Sequence, residues 1–202
     1  MTQGDRLAKI ESEVRQFVQA AYPAIAVRAE YWSHDPSRIA LYFTDERFRG
    51  LYPRQRYHYL VHLIPDEYYR SNLADSVWFE LTPGEDPESI EYPDEQLIAE
   101  IKPDVLGALQ QRGFFAALDE LVYPKDGDSH SRQCSGDFSH SKQVLQTLGF
   151  VESDWSDAFH VLMDEGAFCD CEVLYNVAPE SRLRADYWRT AHAEKASPDR
   201  DG

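Results

Sequence analysis

The chain has 202 residues, 43% of them hydrophobic, which suits two small cores and excludes a disordered ensemble. Its 36 acids against 20 bases give a formal net charge of −16, arguing against nucleic acid and anionic lipid as partners unless the bases cluster locally. No apolar run nears the roughly 20 residues of a membrane span, and the start of the chain lacks the basic and apolar regions of a signal peptide.

In chain order, Leu7, Ile10, Val14, Phe17 and Ala21 recur at three- and four-residue steps, predicting a helix from about Asp5 to Ala21 that stops before Pro23. Ile25, Val27 and Ala29 alternate with polar or small residues, a strand; Ile39, Leu41 and Phe43 form a second beyond the turn Ser33 to Ser37. The short turn predicts an antiparallel hairpin. Helical spacing returns from Arg54 to Ile64, a shorter helix spans about Asp66 to Leu73, and Val77 to Leu81 reads as a third strand. The order is αββααβ, over a first domain of residues 1–84.

Residues 85–102 read as an acidic, proline-bearing connector, because Ser71 to Ile101 holds no Lys or Arg. A helical domain is expected over 103–180, with Pro103 in a first helical turn. Further helices are expected at Phe114 to Val122, Ser139 to Leu148 and Asp154 to Glu165, and then a terminal strand from Phe168 to Val177. Residues 181–202 read as a charged tail with a short helix near Leu183 to His192. The fold class is therefore α+β: a three-stranded front domain and a mainly helical rear one.

Two groups of side chains carry chemistry. Around Glu46 to His58 the acidic balance reverses, and Arg47, Arg49, Arg54 and Arg56 cluster with Tyr52 and Tyr57. Such arginines hold a phosphate, a carboxylate or a single-stranded base, or else pair with Asp45, Glu46 and Asp66. The rear domain gathers the three cysteines, Cys134, Cys169 and Cys171. An odd count, with two only one residue apart, is poor spacing for a disulfide framework and points to the cytoplasm. Thiolate and imidazole are ligands that zinc prefers. In a strand Cys169 and Cys171 share one face while Asp170 points away; with Cys134 and His140 they make a four-ligand structural set. The competing readings are small core residues and a redox pair, the latter discouraged by the neighbouring acids Asp170 and Glu172.

The front segment Ile39-Ala40-Leu41-Tyr42-Phe43, Arg47-Phe48-Arg49-Gly50 and Gln55-Arg56-Tyr57-His58, in the order αββααβ, resembles the BolA family over about residues 6 to 90. The resemblance implies a fold like the class II KH domain, and partnership with monothiol glutaredoxins around an iron–sulfur cluster or with nucleic acid. Tyr57 stands where that family's Arg-His-Arg histidine falls, and Ala74 to Ser76 where its metal-ligating histidine falls. The segments Cys134 to Ser141 and Asp164 to Val177 resemble a bacterial family of unknown function that carries a Gly-x-x-Cys-Asp-Cys-Glu run.

No phosphate loop, nucleophile elbow or His-Glu-x-x-His is present. His160 has Asp164 one helical turn after it and Asp157 one turn before it, a spacing that can orient an imidazole for acid–base work but is more often a surface feature. The function expected is therefore that of a non-catalytic binding or adaptor protein with a protein partner. A structural metal, zinc by choice, would sit in its rear domain; the alternative is a thiol- or metal-dependent sensor or enzyme.

Overall fold

The computed structural model describes residues 2–124 and 136–180, so Cys134 and the expected tail helix lie outside the described residues. The chain divides into two compact units, Met1–Tyr92 and Pro93–Gly202.

In the front unit, helix α1 (Gln3–Ala21) opens with a reciprocal cap: Thr2 Oγ1 accepts from the Asp5 amide at 3.2 Å, and the Asp5 carboxylate accepts from the Thr2 amide at 2.9 Å. Strands β1 (Ala26–Trp32) and β2 (Asp35–Thr44) pair antiparallel, as the short turn requires. Helix α2 (Pro53–Val61) starts on a proline, which loses nothing by lacking an amide hydrogen there. A turn of helix, α3 (Asp66–Tyr68), widens into a π-helical turn over Tyr69–Leu73 before β3 (Val77–Leu81). β3 runs parallel to β2, giving the strand order β1-β2-β3.

The sheet's two faces differ because strand side chains alternate. Val27, Ile39, Leu41, Phe43 and Trp78 point into the core against Ile10, Val14 and Val18 of α1 and Leu60 of α2. On the other face Tyr42 stacks on Phe79 with ring centroids 5.0 Å apart, and the Arg28 guanidinium lies 4.1 Å from the Tyr42 ring.

The rear unit is helical: α4 (Glu95–Gln111), α5 (Phe114–Val122), α6 (Ser139–Thr147), α7 (Glu152–Asp164) and a single turn α8 (Asp170–Glu172). Two expectations are corrected. The connector assigned to 85–102 is α-helical from Glu95 onward, and Pro103 lies inside α4 rather than in its first turn. The helix begins earlier because Asp94 caps it, its Oδ1 accepting from the Gln96 amide at 2.9 Å, and because Ile98 already faces the core. Lys102 then bonds Asp164 at 2.5 Å and Glu165 at 2.9 Å, fixing α4 beside the end of α7. The expected terminal strand Phe168 to Val177 is instead α8 followed by a π-helical turn, Val173–Val177. Alternation misled there. Val173 and Leu174 are adjacent yet both fully buried, which a helical turn against a core allows and a one-sided strand does not.

Candidate functional site

The rear candidate is the Cys-Asp-Cys-Glu turn and what it grips. α6 begins after Phe138, a residue with no side-chain oxygen to satisfy the first helical amides. Asp137 takes one of them, its Oδ1 accepting from the Ser139 amide at 2.9 Å. Asp170 supplies the rest from 30 residues downstream: its carboxylate accepts from the His140 amide at 2.8 Å, the Ser141 amide at 2.9 Å and the Ser141 hydroxyl at 2.6 Å. In return the Asp170 amide donates to the Asp137 carbonyl at 3.0 Å.

Asp170 and Ser141 are both fully buried, so this two-way latch is sealed from water. Burial pushes the Asp170 pKa up, with the bonds from Ser141 and His140 opposing it. Glu172 secures the approach by accepting from the Phe168 amide at 2.7 Å. Below the latch Phe138 stacks on Phe159 of α7, centroids 4.6 Å apart.

Because α8 is helical, Cys169 and Cys171 do not share a strand face, and Asp170 points inward rather than away. Both cysteines are half-buried. The latch does bring the backbone of His140 against the Cys-Asp-Cys turn, so two of the segments assigned to a metal site meet. Among the described residues no three His, Cys, Asp or Glu side chains gather as a metal site would require. Asp164, expected beside His160, bonds Lys102, and His160 Nδ1 lies 3.5 Å from the Ser156 hydroxyl.

It is on this segment that a comparison with known proteins lands. Residues 122–176 match the model of a family described as a protein of unknown function, DUF2695. The chain is similar to that family over this stretch. No curated protein and no solved structure matches the chain. The latch residues Asp137, His140, Ser141 and Asp170 all fall inside the matched stretch.

The front arginines are placed by neighbouring acids. Arg47 bonds Asp45 at 3.0 Å and lies over the Tyr22 ring at 4.1 Å. Arg49 bonds both oxygens of Glu46. Arg56 is buried, at 7% exposure, and donates to the Leu51 carbonyl at 3.0 Å, the Glu80 carbonyl at 2.8 Å and the Glu85 carboxylate at 2.7 Å. It braces α2 against the end of β3. Arg54, on the first turn of α2, is half-buried.

One acid that spacing did not single out sits beside this brace. Glu80 occupies an inward position of β3 at 2% exposure, and its Oε1 meets no donor. Burial raises its pKa to about 7, against a smaller opposing pull from its own backbone and from Arg56. The signal was present in the sequence: an acid at the inward position of an otherwise apolar strand, two residues after Trp78.

Proposed function

We propose that the chain is a non-catalytic binding or adaptor protein whose Cys-Asp-Cys-Glu segment fixes the fold of the rear unit. What carries the reading is the saturation of Asp170. Its carboxylate accepts three donors from the start of α6, which leaves little capacity for moving a proton to or from a substrate. Groups set for catalysis are held at a cost in stability, so replacing them leaves a fold as stable or more so. A structural group behaves the other way. Replacing Asp170 with Asn is therefore expected to lower the urea midpoint; an unchanged or raised midpoint would put the turn forward as a reactive centre instead.

A second reading has its own support: a structural metal held by Cys134, His140, Cys169 and Cys171. Asp170 bonds the His140 amide at 2.8 Å and so draws that residue's turn to the two cysteines. Zinc suits the donor set. Elemental analysis of protein purified without a histidine tag should then find about one zinc per chain, lost together with folded signal on chelation. Metal-free protein whose stability survives the paired changes Cys169→Ser and Cys171→Ser removes this reading and leaves the latch alone. An iron–sulfur absorbance after anaerobic purification would favour the glutaredoxin-partner alternative that goes with a BolA-like front unit, for which the αββααβ order is the support.

A further inference from the structure

The sequence directs attention to the arginines after β2, but those with defined bonds there meet acids or carbonyls. Three others converge and, among the described residues, none of them makes an ion pair. Arg6 from the first turns of α1, Arg38 from β2 and Arg70 from the π-helical turn line one cleft of about 130 Å³, together with Ser71, Asn72 and Asp75. Among the described residues, Arg6 and Arg70 make no side-chain hydrogen bond or ion pair. Arg38 donates through Nε to the Asp75 carbonyl at 2.8 Å, which fixes the plane of its guanidinium, and Trp32 flanks it at 5.3 Å. The nearby Asp35 directs its Oδ1 to the amide and hydroxyl of Ser37, at 3.0 and 2.6 Å.

In a chain of net charge −16 with 36 acids, unpaired cations gathered from three distant segments need a reason. The wide π-helical turn supplies the means, since it sets Arg70, Ser71 and Asn72 along one rim.

Size and charge together specify the ligand. The cleft, at about 130 Å³, is several times the roughly 30 Å³ share of one water molecule. It is far below the roughly 300 Å³ at which pockets for whole drug-sized ligands begin. It therefore suits a charged head group. Three guanidinium groups against the single Asp75 carboxylate leave a surplus of two positive charges in the lining, the match for a phosphate dianion. A carboxylate ligand would neutralise only half of it. Forked guanidinium donors and the Ser71 hydroxyl serve the several terminal oxygens of a phosphate group.

We propose that the cleft between α1, the start of β2 and the π-helical turn binds the phosphate group of a small ligand. This site belongs wholly to the front unit and stands or falls independently of the rear latch.

The test titrates the intact protein with inorganic phosphate, glycerol phosphate, acetate and chloride at matched ionic strength, followed by phosphorus NMR and by thermal midpoint. Both phosphates should bind saturably and raise the midpoint. Arg6→Ala and Arg70→Ala should each weaken binding roughly tenfold, as loss of one charge-assisted bond does. Both are exposed side chains, so the fold should persist. Ser71→Asp, which adds a carboxylate at an exposed rim, should weaken binding without removing any packing. Tighter binding of inorganic phosphate would mark a site for the free ion, and tighter binding of glycerol phosphate a site for the head of a larger molecule; both support the proposal. Equal effects of acetate or chloride overturn it, as does phosphate binding unaltered in the Arg6→Ala, Arg70→Ala double variant.

Discussion

Glu80 illustrates what one buried acid does to a whole domain. Its side chain faces the core side of the sheet near Tyr57, Tyr92 and Arg56, yet the Arg56 guanidinium is committed to carbonyls and to Glu85. Glu85 is the acid that profits: its own burial raises its pKa, but bonds from Arg56 and Thr82 outweigh that and hold it below the ordinary range. Glu80 is left to desolvation and rises to about 7. A carboxyl raised in the folded state favours folding while protonated. That contribution is complete below the ordinary glutamate range and is lost as pH rises through about 7. The loss is about 3 kcal/mol across that window, at 1.36 kcal/mol per unit. Urea midpoints should fall as pH is raised from acid to mildly alkaline, and Glu80→Gln should flatten that slope. A slope unchanged in the variant would assign the pH dependence to another group.

At the scale of elements, the latch shows one helix depending on a distant turn for its start. α6 has nine residues, short for a helix to hold itself, and its N-cap position is Phe138. Without Asp170 the part-buried amide of His140 and the buried amide and hydroxyl of Ser141 lose their acceptor. Replacement with Asn keeps one acceptor oxygen and should cost about 2 kcal/mol, while Ala should cost about 4 kcal/mol. Circular dichroism during urea unfolding measures both. α4 makes the complementary point. Its proline removes one internal hydrogen bond, yet the Asp94 cap, Ile98 and Leu109 in the core, and the Lys102 bridge to Asp164 and Glu165 carry the helix through.

For the whole molecule, whose net charge is −16, added salt acts on folding and on ligand binding with opposite signs. Self-repulsion opposes the compact state, so salt, by screening it, should raise the thermal midpoint by ~3 °C, the equivalent of about 1 kcal/mol at this size. The same salt should weaken phosphate binding at Arg6, Arg38 and Arg70, because that attraction is screened too. Differential scanning fluorimetry over a sodium chloride series reads the first effect; a midpoint that falls with salt would show that specific ion pairs outweigh the net repulsion. Among the described residues no helix is long and apolar enough to cross a membrane.

Local patterning determined much of this protein. The three- and four-residue spacing of Leu7, Ile10, Val14 and Phe17, and the alternation of Ile39, Leu41 and Phe43, specify the front unit's elements because each buries one face against one core. The α+β division was equally legible in the chain. Tertiary structure alone decided three matters. It made Phe168 to Val177 helical, because the surrounding core buries adjacent residues there and alternation ceases to be informative. It turned Asp170 inward, because the donors that make a buried carboxylate tolerable come from 30 residues away. And it brought together arginines that are far apart in sequence. Arg47 and Arg49 meet acids two and three residues away, Asp45 and Glu46, whereas Arg6, Arg38 and Arg70 meet only once α1, β2 and the π-helical turn have packed.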